Sequence, residues 1–193
     1  MEISVADADW DASLAFVIAA EGGYSHDPLD PGGATNLGIT LAELSEWRHI
    51  AVTKDDVKNL SREEAAAIYR SNYWNSSRCT DLPAGVDLMV FDASVNIGIG
   101  RSAKFLQAAL GVTVDGSIGP QTVAAVRSRP VSDLIGELAA RRLAFYQTLP
   151  DFNHFGAGWT NRVHQVQDHA LAMAGSAQAS PAWPTHDVVT DRV

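Results

Sequence analysis

The sequence predicts a mainly helical α+β fold: a helical bundle with a small β-hairpin or sheet beside one loop. Three observations carry this. Apolar residues recur at helical spacing over most of the 193-residue chain. Hydroxyl residues followed three positions later by glutamate mark helix starts at Thr40/Glu43 and Ser61/Glu64. Strand-like alternation is confined to the short run TNLGIT, residues 35 to 40. With 46% hydrophobic residues, the chain can bury a substantial core as one domain, or as one domain with a closely packed second half.

Taken in order, residues 10 to 20 (WDASLAFVIAA) form the first helix, with Asp7, Asp9 and Asp11 placed to cap or charge its start. Leu14, Val17, Ile18 and Glu21 fall at i, i+3, i+4 and i+7, so Glu21 continues the core-facing stripe until Gly22 and Gly23 end it. A Pro/Gly-rich loop follows, then helices at about 41 to 49, after Thr53, and from Ser61. Residues 84 to 97 read as a central apolar helix carrying Asp92 and Asn96 on one face. Gly98 and Gly100 break it, and another helix begins at Arg101. Turns at Asp115-Gly116 and Gly119-Pro120 precede a helix with Pro120 in its first position. A helix at 132 to 148, capped by Ser132, a loop LPDFNHFGAG and a final helix from Trp159 complete the chain. From Gly175 the composition is that of a flexible tail.

Charge and cysteine usage narrow the function. The formal net charge is -9, and nine acids but no Lys or Arg precede Arg48. Such an acidic end repels phosphate-rich ligands, so nucleic acid is not an expected partner. No run is long and apolar enough to insert stably in a membrane, and the N-terminus lacks the basic start and apolar core of a secretory signal. The expected product is a soluble chain made in the cytoplasm. A lone cysteine, Cys79, excludes an internal disulfide, and the six histidines lack metal-ligand spacing; neither metal nor cofactor is expected.

The chemistry centres on Glu21. An acid at the end of an apolar helix meets two effects that favour its neutral form, desolvation and the negative end of the helix dipole. A protonated glutamate is what a glycosidase needs to protonate a leaving group. The plainer alternative is a helix-end glutamate reaching water. In the loop SHDPLDPGGATN, Asp27, Asp30, Thr35 and Asn36 fold back toward it, a set suited to position a water and bind sugar hydroxyls, although both aspartates also suit Asx turns. Tyr69, Tyr73 and Trp74 offer aromatic faces for sugar stacking, with core packing the alternative for Tyr69 and Trp74, and Tyr24 is a further substrate-binding candidate.

The run EGGY followed by D-P-x-D-P-G-G-x-T-N-x-G-I-T resembles the family 108 glycoside hydrolases, N-acetylmuramidases of phage lysis and bacterial secretion systems. Residues 91 to 126 and FGAGWTNRV at 155 to 163 look like the peptidoglycan-binding portion that accompanies that catalytic part. The resemblance implies a lysozyme-like fold, with residues 1–97 catalytic, 98–174 a peptidoglycan-binding-like helical part packed on it, and 175–193 the tail. It also implies Glu21 as the catalytic glutamate, Asp92 and Asn96 as supports of the cleft, and bacterial peptidoglycan as the partner. Asp30 is the first choice for the second catalytic group, with Thr35 or Asp27 as alternatives. Action in the periplasm or cell wall then requires a holin or secretion system for export. A lytic transglycosylase on the same bond and a non-catalytic cell-wall binding module are the competing readings.

Overall fold

The computed structural model describes residues 5–26 and 33–178. Nine α-helices and a three-stranded antiparallel sheet are found among the described residues, in the order β1-β2-β3. The first helix, α1 (Val5–Glu21), starts earlier than its aspartates suggested, so Asp7 and Asp9 lie within it rather than before it. Its last residue is Glu21, as the apolar stripe requires, and Val17 and Ile18 are buried.

Three short strands follow: β1 (Ser25–His26), β2 (Ala34–Asn36) and β3 (Ile39–Thr40). TNLGIT is therefore a hairpin rather than one strand. Its two-residue turn puts Leu37 at φ 51° and Gly38 at φ 78°, the left-handed pair that matches the twist of antiparallel strands. Thr40 then caps α2 (Leu41–Arg48) in a complete box with Glu43, a contribution of about 1 kcal/mol. A second complete box, Thr53 with Asp56, opens α3 (Lys54–Lys58). At α4 (Arg62–Tyr69) the box is half made: Ser61 accepts from the Glu64 amide, while the Glu64 carboxylate pairs with Arg48 at 2.7 Å.

α4 runs on into a π-helical turn, Arg70–Asn75, which turns Trp74 inward. There Trp74 meets Trp10 and Phe91 edge-on, at ring separations of 5.2 and 5.4 Å. Such pairs add about 0.5–1.5 kcal/mol each beyond simple burial. A short 3-10 turn, Cys79–Asp81, leads to the central helix α5 (Val86–Ile97), whose first nine residues are all buried.

Around α5 pack α6 (Ile99–Leu110), α7 (Pro120–Val126), α8 (Val131–Gln147) and α9 (Phe152–Gln178). Gly100 lies inside α6 and does not break it; Gly98 alone forms the joint. α7 has Pro120 in its first turn as expected. α8 starts one residue before Ser132, which gives its N-terminus no side-chain cap. The expected loop before Trp159 is helical: α9 begins at Phe152 and continues past Gly156 and Gly158 as far as Gln178. One hydrophobic cluster, from Trp10 to Ala174, connects α1, α5, α8 and α9.

Candidate active site

Glu21 is held where three elements meet. Its side chain is 23% exposed, enough to be reached by a ligand, while its stem lies under the β2–β3 turn. A Cβ added at Gly38 would fall 2.8 Å from Glu21 Cγ and 2.2 Å from the Tyr69 hydroxyl, so only glycine lets this turn sit down on both. The Tyr69 hydroxyl donates to the Leu37 carbonyl at 2.9 Å and locks the turn from below. Burial first, then the neighbouring Glu21 charge, push the Tyr69 phenol well above its ordinary range, so it remains a neutral donor.

The group facing the carboxylate comes from the far end of the chain. Arg162, on α9, places Nη2 2.7 Å from Glu21 Oε1 and 2.8 Å from Asp92 Oδ1. Asp92, on α5, is fully buried and accepts from Arg142 of α8 through its other oxygen, at 2.5 Å. Arg142 in turn donates to the Tyr146 hydroxyl at 2.9 Å, and that hydroxyl donates to Asn96. Burial alone would lower the Arg162 guanidinium's affinity for its proton, but Asp92 and Glu21 more than offset this and leave it above its ordinary range. The sequence suggests apolar neighbours, a helix dipole and the loop residues Asp27, Asp30, Thr35 and Asn36 around Glu21, and no cation. Arg162 brings a positive charge that opposes the first two, since it favours the carboxylate over the neutral acid; its signal in the sequence was the arginine of WTNRV, at helical spacing from Trp159.

The other candidate residues divide into several groups. Asp27 and Asp30 lie outside the described residues. Thr35 is mid-strand on β2, paired with Ser25 and Thr40, and Tyr24 is 41% exposed with Lys58 Nζ 6.0 Å from its ring centre. Two stacking or binding candidates are corrected. Trp74 is buried, its indole N–H donating to Thr80 at 2.8 Å, so it offers no open face. Asn36 is buried and its amide donates to the Val57 and Lys58 carbonyls, both at 3.1 Å, which ties β2 to α3 instead of reaching a sugar. Tyr73 is half-buried and its hydroxyl donates to Glu43 at 2.7 Å; burial, then that bond, push its phenol up. Cys79 is buried, which together with nearby Asp87 pushes the thiol well up and removes it as a nucleophile. Among the described residues, no three His, Cys, Asp or Glu side chains are grouped to hold a metal ion.

The turn after α6 has a physical account too. Gln107 is buried and its amide donates to Asp115 at 2.7 Å and the Ser117 carbonyl at 2.9 Å, while its oxygen accepts from Gly116 at 2.8 Å. One glutamine thus clamps the first three residues of the DGSIG turn, beside a concavity of about 400 Å³.

Comparison with known proteins places the two halves of the chain in described families. Residues 14–98 match the family model Glycosyl hydrolase 108, and residues 101–164 match one described as Predicted Peptidoglycan domain. A solved structure described as "Structure of Brucella abortus SagA" is 46% identical, with a TM-score of 0.79, covering 86% of this chain and 96% of that one. The chain belongs to the glycosyl hydrolase 108 family. No curated protein matches. This family 108 glycoside hydrolase draws Glu21 from its first matched region and Arg162 from its second, so the two regions meet at one carboxylate. No described helix is long and apolar enough to cross a membrane.

Proposed function

We propose that the chain is a peptidoglycan hydrolase, an N-acetylmuramidase that cleaves the β-1,4 bond between N-acetylmuramic acid and N-acetylglucosamine. The observation that carries this reading is Glu21 itself, a partly exposed carboxylate at the end of an apolar helix, fixed by a half-buried arginine. The match of the second region to a peptidoglycan domain supports the substrate. Glu21 acts as the general acid: Arg162 engages Oε1, and the proton passes from Oε2 to the glycosidic oxygen as the bond to the sugar breaks. Negative charge grows on the carboxylate as the proton leaves, and the guanidinium already in place stabilises it at that moment.

Asp30 is the proposed second group, with Thr35 positioning the water and Asp27 as its alternate. A carboxyl separation of roughly 6.5–9.5 Å gives inversion, and about 5 Å gives retention through a covalent intermediate. The enzyme acts on the cell wall after export by a holin or a secretion system.

The test is clearance of purified walls by Glu21→Gln. The variant keeps the side chain's size and is expected to fold like the parent, bind walls and lose clearance by at least about a hundredfold. Clearance at the parent rate by a normally folded variant would sink the proposal. Mass spectrometry of the parent's products is expected to find reducing ends; 1,6-anhydro ends would make the enzyme a lytic transglycosylase.

A further inference from the structure

The helix that supplies Arg162 has more to offer on the same side. Phe155, Trp159 and Arg162 stand at i, i+4 and i+7 of α9, one face of the helix. The rings of Phe155 and Trp159 lie 5.8 Å apart at 31°, and Trp159 rests on Tyr146 at 5.1 Å and 32°. Tyr146 is buried and Trp159 half-buried, whereas Phe155 is 51% exposed, so the stack emerges from the core into solvent.

α5 runs antiparallel beside this face. Asp92 is opposite Arg162, and exposed Asn96, one turn on, meets Tyr146 under Trp159. Both helices therefore lead away from Glu21 in the same direction. The Asn96 oxygen accepts from Tyr146, which leaves its amide hydrogens as the groups presented to a ligand. From Arg162 to Phe155 is seven residues, or about 10 Å along the helix, the span of a pair of linked pyranose rings.

We propose that Phe155, Trp159 and Asn96 form a sugar-stacking subsite that receives the glycan strand as it leaves Glu21. This rests on the hydrolase reading above and assigns the stacking role that Trp74 cannot fill. The C–H faces of uncharged pyranose rings suit exposed aromatic faces, and an amide donor suits their hydroxyl and acetyl oxygens. The second matched region contains both rings, which makes part of the described peptidoglycan domain an arm of the active-site cleft rather than a separate anchor.

The test is calorimetric titration with a hexasaccharide of alternating N-acetylglucosamine and N-acetylmuramic acid, in the Glu21→Gln protein so that the ligand stays whole. Phe155→Ala, at an exposed position, is expected to keep the unfolding temperature and weaken binding about tenfold; Phe155→Tyr retains a ring and is expected to retain the affinity. Asn96→Ala is expected to weaken binding by a smaller factor. Unchanged affinity in both Phe155→Ala and Asn96→Ala overturns the subsite. Wall clearance separates the two claims: if Glu21→Gln clears walls but Phe155→Ala loses affinity, the acid assignment fails and the subsite stands. If Glu21→Gln is inactive and Phe155→Ala and Asn96→Ala bind as tightly as the protein with both side chains intact, the subsite alone fails.

Discussion

Asp87 and Asp92 sit on the same helix, α5, at 2% and 0% exposure, and the structure treats them in contrasting ways. Asp92 has two arginines, one on each oxygen, and through Arg162 it extends to Glu21 at the surface. Asp87 is held by backbone instead: one oxygen accepts from the amides of Gly85 and Leu88 at 2.8 and 2.7 Å, at the start of the helix. Burial, reinforced by nearby Asp9, pushes its carboxyl up to about 8 in spite of those two bonds. Burial by itself thus makes no functional site. The difference lies in what each carboxylate connects: Asp87 closes a helix end, while Asp92 ties three helices to the residue proposed to donate a proton.

The largest effect that sharpens this contrast is expected at Asp92. Asp92→Asn keeps the shape but leaves Arg142 and Arg162 without their shared counter-charge, a loss of about 3–5 kcal/mol in chemical denaturation. A loss below about 1 kcal/mol would break the comparison. The next is a dependence on pH at Asp87. Its folded carboxyl lies above the ordinary 3.8, so the stability it contributes is fully present below pH 3.8, falls as the pH rises through the window up to about 8, and is gone above it. Asp87→Asn, whose oxygen can still accept the two amides, is expected to remove that slope and to gain on the parent toward pH 8. Parallel stability curves for the two proteins would contradict it. The smallest concerns Asp9, half-buried on α1 and itself pushed up by desolvation. Asp9→Asn removes a like charge and is expected to lower the Asp87 midpoint by a fraction of a unit, read by carboxyl NMR titration.

Local chemistry made much of the fold legible in the sequence. The stripe from Leu14 to Glu21, the Thr40–Glu43 box and Pro120 at a helix start each depend on residues a few positions apart. The site was legible on Glu21's own side and at Asp92 and Asn96, but not in the arginines that join them. Arg142 and Arg162 are 50 and 70 positions from Asp92, and no periodicity encodes which of the chain's arginines will meet which acid. Phe155 and Trp159 stood out in FGAGWTNRV, but that they share one helix face was hidden for another reason. Gly156 and Gly158 between them read as a loop, each costing a helix about 1 kcal/mol, and packing of α9 along α5 and α8 outweighs that penalty. Trp74 misled in the opposite sense: a π-helical turn, which spacing does not reveal, rotates it from the expected groove into the core.

The central claim is that Glu21 transfers the proton while Arg162, delivered from the other matched region, holds it in place. Its most direct measurement is the rate of reducing-end release from purified peptidoglycan at saturating substrate, for Glu21→Gln and Arg162→Gln beside the parent. The account predicts no measurable turnover for the first and a loss of about 10- to 100-fold in kcat for the second, with little change in KM. Parent-level turnover by either folded variant would contradict it.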